Sequence, residues 1–589
     1  MVQSKKIIGG VMVLSSLILG SCGGRQTKTS ETVRPNILLL VGDDMGFSDI
    51  GPFGSEVNTP QLNTLAEQGI KFTNFHATPV CSVSRSQILT GCNNIEVGLG
   101  AFDYTVYPPA EGKKGYEGYL TRNTVTIAEL LRDAGYHTYT VGKWHLGGVH
   151  GGGHGPHEWG FERSYGIYVG GSNHWNQQVM LPDAKDPETA SYISKGKIPP
   201  IAEEKFFEDG KSVVRPNGVY SNILYTGKML EYLKSNELDN KPFFAYVAFT
   251  TAHLPIQAPQ DKIDKYYSFY LRTGYENLKK KRFEMLKKHG VISYDTPYPD
   301  PALNPLLKRW KDLPEHTKKI QARIMATYSA MIEDQDESIG RLIDYLKASG
   351  KYDNTLIVYI TDNGPEGTDL RGVLSNPLMK AWVEKNYSSN LDDVGKGNTN
   401  WQIGMNWANV ATGTLQWWKA FVAEGGIRVP MIIKQPKWDT PLRKNEATAK
   451  MSSIKDIPIT ILDYAGVEVP KTMYKDRKIV APTGVSMRGF LEKKRDYVRS
   501  DEEWVAFELF GNMYVMKSNM KARMIRKGMW GDGQWHLYNI EKDPGETTPL
   551  EEQYPEMLDE LKAIYASYAK QHDIISVEQD WNPWSALGH

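Results

Sequence analysis

The sequence predicts an α/β fold: a large, mostly parallel central sheet with helices on both faces, and a smaller C-terminal subdomain. Three observations support this prediction. Several short apolar segments lack the alternation of a half-exposed strand, longer segments between them have a helical period, and short strand-like segments dominate after about residue 487. Strands buried on both faces of a parallel sheet have this continuous hydrophobicity. A chain of 589 residues, 40% of them hydrophobic, is long enough for such a core.

The N-terminal segment predicts export rather than a part of the fold. Two lysines precede a short apolar run, Ile7–Leu19, which has the order of a secretory signal and is too short to span a bilayer comfortably. The sequence LGSC that follows resembles the lipobox of bacterial lipoproteins. We therefore expect a signal peptide over residues 1–21, a lipid anchor on Cys22, a tether over 22–34, and a location in the periplasm or outer membrane. The alternative is a simple cleavable signal with an incidental cysteine.

Four segments predict strands of the central sheet, and one long segment between them predicts a helix. The strand segments are NILLLV (Asn36–Val41), HTYTV (His137–Val141), FFAYVAF (Phe243–Phe249) and TLIVYI (Thr355–Ile360). Apolar residues recur with a 3.6-residue period over Thr317–Lys347, as in a helix with one buried face. The lysine-rich segment ENLKKKRFEMLKKHG predicts an exposed helix in an insertion, with a solvated charge run and no function of its own.

The patterns predict a large α/β domain, residues 35–487, and a C-terminal subdomain, residues 488–589. The C-terminal segments WVAFELFG, MYVMKS, ARMIRK and WHLYNI predict an antiparallel meander, followed by a helix from Glu551 to about Gln571. Lysine plus arginine number 69 and so do aspartate plus glutamate, so no global field attracts nucleic acid. A charged ligand must therefore be bound locally.

Polar side chains follow each of the four predicted strands, at the edge where open parallel sheets bind ligands. They lie in GDDMG, GKWHLG, TTAH and TDNG, and comprise Asp43, Asp44, Lys143, His145, His253, Asp362 and Asn363. An Asp pair alone is often a helix cap or a turn, but four strands that deliver such residues together predict a site. Carboxylate and amide oxygens suit calcium or magnesium better than zinc, which leaves the histidines for acid–base work.

These motifs, in this order, resemble a type I sulfatase of the alkaline phosphatase superfamily. The resemblance extends from about Pro35 to about Leu550 through LLVGDDMGFSDIGPFG, TPVCSVSRSQILTG, YTVGKWHLG, TAHLP, VYITDNG, KAFVAEGGIRVP and DIPITILDYAG. Two further stretches, PHEWGFERSYGIYVGGSNHW and PFFAYVAFTTAHLPIQAP, resemble the bacterial arylsulfatase branch. The resemblance implies an enzyme that hydrolyses a sulfate ester to an alcohol and inorganic sulfate.

The resemblance also implies a special role for one cysteine. The three cysteines are too few for a disulfide framework. In the family, the cysteine of C-x-P/A-x-R is oxidised by a maturation enzyme to formylglycine, whose hydrated aldehyde is the nucleophile. Cys81 matches this position and Arg85 its partner, although Val83 stands where proline or alanine is usual. Cys92 has no such motif and is interpreted as a small core residue.

The remaining roles follow from the same resemblance. One Ca²⁺ is expected on oxygens of Asp43, Asp44, Asp362, Asn363 and the modified Cys81. Lys143 and Lys419 would bind sulfate oxygens, Arg85 would hold the oxygens of the nucleophile, His253 would protonate the leaving alcohol, and His145 would accept the proton that releases sulfate. His174 and Trp175 are candidates for lining the substrate pocket.

The substrate class stays open at this level. A small sulfated compound is expected, either an aryl sulfate or, more consistent with an anchored exported enzyme, an O-sulfated sugar of a host or environmental glycan. Two alternatives belong to other classes: a phosphatase or phosphonate hydrolase on the same sheet, and a non-catalytic glycan-binding lipoprotein. An aryl sulfate compared with an aryl phosphate separates the first, and the intact set of catalytic residues argues against the second.

Overall fold

The structure is a computed structural model that describes residues 34–583, except for 103–104, 148–153, 180–186, 188–189, 192–204, 302–303, 368, 370–376 and 439–440. The expected signal peptide, Cys22 and almost all of the tether lie outside the described residues. No helix in the described part of the chain is long and apolar enough to cross a membrane.

A ten-stranded sheet forms the centre of the molecule. Its strands, in spatial order, are β11 (Glu446–Thr448), β2 (Ile70–Phe72), β10 (Met431–Lys434), β9 (Thr355–Thr361), β1 (Asn36–Gly42), β8 (Phe243–Ala248), β4 (His137–Lys143), β5 (Arg163–Ile167), β6 (Phe206–Glu208) and β7 (Lys211–Val213). The five central strands from β9 to β5 are parallel, whereas β10 and β6 pair antiparallel at either side. All four predicted strands are confirmed, and all four are buried almost completely because helices cover both faces.

The remaining strands form small sheets. Two pairs are β3 (Phe75–His76) with β12 (Ser452–Ser453) and β13 (Met473–Tyr474) with β14 (Arg477–Lys478). The predicted C-terminal meander is confirmed as an antiparallel sheet of β15 (Trp504–Leu509), β16 (Asn512–Lys517), β17 (Met520–Met524) and β18 (Trp535–Asn539). Lys521 on β17 donates a 2.7 Å hydrogen bond to Glu424 of the segment before β10, so buried ion pairs join this sheet to the larger unit. The division at residues 487 and 488 stays a prediction.

The helices have the following bounds: α1 (Pro60–Gln68), α2 (Cys81–Thr90), α3 (Ile127–Asp133), α4 (Ser221–Ser235), α5 (Gln260–Lys288), α6 (Glu315–Ala348), α7 (Pro377–Asn386), α8 (Gly404–Ala411), α9 (Glu424–Ile427), α10 (Asp456–Ala465), α11 (Arg488–Leu491) and α12 (Pro555–Gln571). The long periodic segment is confirmed as α6, which follows Pro314 and buries its apolar face. The expected C-terminal helix begins four residues later than predicted, at Pro555.

The lysine-rich segment differs from the prediction. It forms the second half of α5, which packs along α6, and two of its cations are buried rather than solvated. Arg282 pairs with Asp49 and with Glu56 at 2.8 Å, and Lys279 donates a 2.7 Å hydrogen bond to the carbonyl oxygen of Asn409. The charge run therefore has an inner face, because acidic and carbonyl partners from distant segments satisfy these two side chains.

Candidate active site

Asp43 and Asp44 follow β1 at the carboxyl edge of the central sheet, and both carboxylates are fully buried. Lys143, the last residue of β4, donates hydrogen bonds of 2.9 and 2.8 Å to the two carboxylate oxygens of Asp43. Asp44 has a positive φ of 59°, which bends the chain sharply and directs its side chain to Lys419, whose Nζ lies 2.8 Å from Oδ2. The predicted meeting of strand ends is therefore present.

Asp362 and Asn363 follow β9, directly beside β1. The amide nitrogen of Asn363 donates a 2.7 Å hydrogen bond to Asp44 Oδ1, which holds the two side chains together. Its amide oxygen is buried and has no hydrogen-bond partner among the described atoms. A buried oxygen left without a partner is costly, so it marks a position where another donor or a cation is needed.

Cys81 is the first residue of α2 and lies against the same acidic group. Its Sγ is 3.4 Å from Nδ1 of His145, which follows β4 with a positive φ of 54°. Burial alone would raise the pKa of the Cys81 thiol, but Lys143, Lys419 and His145 together lower it to about 5. Residue 81 is thus placed where a negatively charged or electron-rich group is stabilised.

Arg85 lies one turn further along α2, fully buried. Its Nε and Nη2 donate to one oxygen of Asp362 at 3.0 and 2.7 Å, and its Nη1 donates to the carbonyl oxygen of Lys143 at 2.9 Å. The guanidinium therefore orients a candidate metal ligand and the end of β4. The expected role of Arg85 toward the nucleophile remains a prediction.

His253 lies in the turn after β8, and its ring is close to the carboxylates of Asp43 and Asp44. Its Nε2 is 3.6 Å from Asp44 Oδ2, and its Nδ1 is 2.7 Å from the carbonyl oxygen of Leu254. Behind it, His174 is buried and its Nε2 lies 3.3 Å from the carbonyl oxygen of His253. His174 thus supports the catalytic turn, which is a different position from the substrate-facing one considered for it.

The pKa values of the three carboxyl groups are shifted in different directions. Burial raises the pKa of Asp43 well above its usual value, and repulsion by Asp362 adds to this effect while Lys143 opposes it. Burial likewise raises the pKa of Asp44 to about 7. Burial would raise the pKa of Asp362 too, but Arg85 and Lys143 lower it. Three buried carboxylates this close together repel one another, so the arrangement favours an added positive charge.

The residues present fit a hard divalent cation. Asp43, Asp44 and Asp362 provide carboxylate oxygens, and the unpartnered Asn363 oxygen completes an all-oxygen set of the kind that calcium and magnesium prefer. Candidate ligand atoms of Asp43, Asp362 and Cys81 lie within 4.8 Å of one another. The predicted catalytic and metal-binding residues are therefore brought to one edge of the sheet.

Two residues that the sequence did not single out also contribute. Glu366 pairs with Lys419 at 3.0 Å, so this lysine is held between Glu366 and Asp44. Tyr328 on α6 donates hydrogen bonds to the carbonyl oxygen of Asp44 and to Asp49, and so supports the sharp turn after β1. Glu366 lies only two residues after the TDNG motif, and this proximity could have indicated a position near the site. No such signal exists for Tyr328, because it falls on the apolar face of the helical pattern, like an ordinary core residue.

The site combines three features at the edge of a parallel sheet: the buried Cys81, oxygen ligands for a cation, and two lysines. This combination is typical of a hydrolase that acts on anionic esters. The model of the Sulfatase family matches residues 35–467. An uncharacterized sulfatase from Schizosaccharomyces pombe is 35% identical, with 94% of this chain and 97% of that protein covered. An arylsulfatase from Klebsiella aerogenes is 33% identical, with 80% and 94% covered. The chain belongs to the sulfatase family and is a sulfuric ester hydrolase.

The fold is similar to that of solved sulfatase-type structures. The crystal structure of Ps i-CgsB superimposes with a TM-score of 0.62 at 21% identity, with 94% of this chain and 97% of that chain covered. A second structure of Ps i-CgsB, in complex with k-i-k-neocarrahexaose, has a TM-score of 0.61. The predicted fold class is confirmed by this likeness.

Proposed function

We propose that Cys81 is converted to formylglycine and that its hydrated aldehyde attacks the sulfur of a sulfate ester, with release of the alcohol. The observation that carries this proposal is the position of residue 81, at the start of α2, 3.4 Å from His145 and among Lys143, Lys419 and the carboxylates. An ordinary buried thiol has no need of two lysines and a histidine. The family membership supports the same reaction.

We propose Ca²⁺ as the cation of the all-oxygen set formed by Asp43, Asp44, Asp362 and Asn363, with residue 81 as a further ligand. A divalent cation there would neutralise part of the charge of the sulfate group and acidify a hydroxyl on residue 81. Arg85 keeps Asp362 oriented and ionised, since it donates two hydrogen bonds to one carboxylate oxygen.

The two lysines are placed to bind the sulfate group. Lys143 and Lys419 now pair with Asp43 and Asp44 at 2.8 Å, and both are buried. A cation held by those carboxylates would leave the two ammonium groups able to donate to sulfate oxygens. Attraction to Asp44 and Glu366 outweighs burial and holds the pKa of Lys419 well above its usual value, so it stays charged.

The histidines act on opposite sides of the reacting centre. His253 protonates the leaving alcohol, and His145 accepts the proton of the second hydroxyl on residue 81, so that the aldehyde reforms as sulfate leaves. Burial, followed by Lys143 and Lys419, lowers the pKa of His253 well below its usual value. A bound sulfate group would offset the effect of both lysines, which ties the proton on His253 to the presence of substrate.

A sulfated saccharide is the substrate class that we favour. A structural neighbour, Ps i-CgsB, was solved in complex with k-i-k-neocarrahexaose, and export as a lipoprotein would give this enzyme access to glycans outside the cytoplasm. We propose that a lipid on Cys22 anchors the enzyme in the periplasm or outer membrane, and that a formylglycine-generating enzyme matures it first.

The test uses protein produced together with its maturation enzyme, with Ca²⁺ present. An aryl sulfate, the matching aryl phosphate, and defined sulfated mono- and disaccharides are compared. We expect the sulfate to be hydrolysed at least about 100-fold more efficiently than the phosphate, since the chain belongs to the sulfatase family. Preferred hydrolysis of the phosphate would contradict the proposed function.

A further inference from the structure

A cavity of about 410 Å³ adjoins the segments that carry the catalytic residues. Its wall includes Trp418, which precedes Lys419, and Gly367, which follows Glu366. It also includes Trp401, whose carbonyl oxygen accepts a hydrogen bond from Ile256, three residues after His253. Two active-site segments thus contribute to the wall, and a third is hydrogen-bonded to it; the volume is in the range of small-molecule sites.

The chemistry of this first cavity suits a saccharide ring. Trp401 and Trp530 are half-buried in its wall and provide apolar ring surface, with Trp418 buried beside them. The Asn406 amide is also in the wall, where it exchanges two hydrogen bonds with the Lys308 backbone. Aromatic faces with a few polar groups are a common composition for ligand pockets. The mechanism above assigns no role to these side chains.

A second cavity, of about 500 Å³, adjoins the first. The two share Tyr275, Lys308 and Asn406 in their walls. Its floor is fixed by a kink in α5: Gly274 has a φ of 68°, and a Cβ there would lie 2.5 Å from the Trp310 ring. Only glycine permits this approach, which brings Trp310 edge-on to Tyr275 at 4.8 Å.

The second cavity is basic. Three exposed cationic side chains, Lys308, Arg309 and Lys311, line it against two acidic ones, Glu276 and Asp300. Lys279 also lies in the wall, but burial lowers its pKa to about 7. Glu276 accepts a hydrogen bond from the Trp310 amide. In the described part of the chain, no carboxylate lies within ion-pair distance of Lys308, Arg309 or Lys311, and these three are exposed. Exposed cations that outnumber the carboxylates of a concave wall and form no ion pair with them favour an anionic ligand.

We propose that the two cavities form one groove for the non-reacting part of a sulfated saccharide, in which the basic cavity binds a second anionic group, a sulfate or a carboxylate. This inference rests on the proposed function and extends it to the substrate class: a saccharide with at least two anionic groups. The lysine-rich segment thereby gains a role, because its buried Lys279 lies in the wall of the basic cavity.

The test compares saccharides that differ only in the second anionic group. The reference is the monosulfated saccharide that the enzyme hydrolyses best; two analogues carry a further sulfate or a carboxylate on the neighbouring sugar. We expect the wild type to show a KM at least about 10-fold lower for one or both analogues, with a similar kcat. The better of the two analogues identifies the anionic group.

A double variant, Arg309→Ala with Lys311→Ala, changes cations that line only the second cavity; it should remove this advantage and leave KM for the monosulfated saccharide within about twofold. The matched control is Lys280→Ala with Lys288→Ala, which removes equal charge from exposed positions of α5 outside the cavity and should retain the advantage. Equal KM values for all three saccharides in the wild type, or equal effects of both double variants, would overturn the inference. An enzyme that hydrolyses aryl sulfate but no saccharide would also overturn it, whereas failure on every sulfate ester would overturn the proposed function itself.

Discussion

The two ends of α2 place two cysteines in equally buried but chemically opposite surroundings. Cys81, at the start, is 2% exposed, and Cys92, just beyond the end, is 0% exposed. Burial would raise the pKa of both thiols. At Cys92 it does so, to about 11, whereas at Cys81 Lys143, Lys419 and His145 reverse the effect and the pKa falls to about 5. Burial alone thus does not make a functional cysteine; the charges that other strands bring to it do.

The largest expected effect comes from a change at Cys81, the end of α2 that lies among charged side chains. Cys81→Ala removes the side chain that becomes the nucleophile, so we expect kcat for an aryl sulfate to fall by more than about 10³-fold. Cys92→Ala is the matched control from the other end of α2 and should retain kcat within about twofold. Steady-state kinetics on both variants checks this, and an active Cys81→Ala enzyme would rule out the nucleophile.

The next effect concerns the cation proposed to bind beside Cys81. Asp362→Ala removes an expected ligand and the partner of Arg85, so activity should fall by about 10²-fold or more and Ca²⁺ should no longer protect against thermal unfolding. In the wild type, chelation should abolish turnover and Ca²⁺ should restore it. Full activity in strong chelator would contradict the metal assignment.

A third prediction distinguishes the two histidines near Cys81, His253 and His145, which have different hydrogen-bond partners. His253→Ala should impair sugar sulfates far more than activated aryl sulfates, because a phenol departs with little protonic help. His145→Ala, beside Cys81, should instead give a burst of alcohol and leave sulfate attached to residue 81, which mass spectrometry detects. Equal losses on both substrates, without burst or adduct, would reverse these assignments.

The smallest effect concerns Cys92, just beyond the other end of α2. Cys92 is packed against Thr124, whose Oγ1 is 3.5 Å from its Sγ. Its replacement by alanine should lower the free energy of unfolding by about 1 kcal/mol through the small cavity left behind, without a change in KM. Chemical denaturation measures the first and kinetics the second. A large loss of activity in a well-folded Cys92→Ala variant would mean that the two ends are coupled.

Much of this contrast could be predicted from the sequence. The central strands and the residues that follow them are local patterns, so Asp43, Lys143, His253 and Asp362 could be assigned to one edge before any contact was known. Partners that meet only through tertiary packing could not be. The pairing of Lys419 with Glu366 depends on how two loops approach each other, and local periodicity contains no information about this.

The inner face of the lysine-rich helix illustrates the same limit. A charge run is usually solvated, and nothing local distinguishes Lys279 and Arg282 from their exposed neighbours. They are buried because Asp49, Glu56 and the Asn409 carbonyl come from segments far away in the chain. The groove proposed above lies beside this face, so it too could be recognised only from the structure.

The chemical state of residue 81 in active enzyme tests the central claim most directly. Peptide mass spectrometry on protein produced with a maturation enzyme reports both cysteines of α2 and its flank in the same sample. The account predicts an aldehyde at residue 81, in proportion to specific activity, and an unmodified thiol at Cys92. A fully active enzyme that carries an intact Cys81 thiol would contradict it.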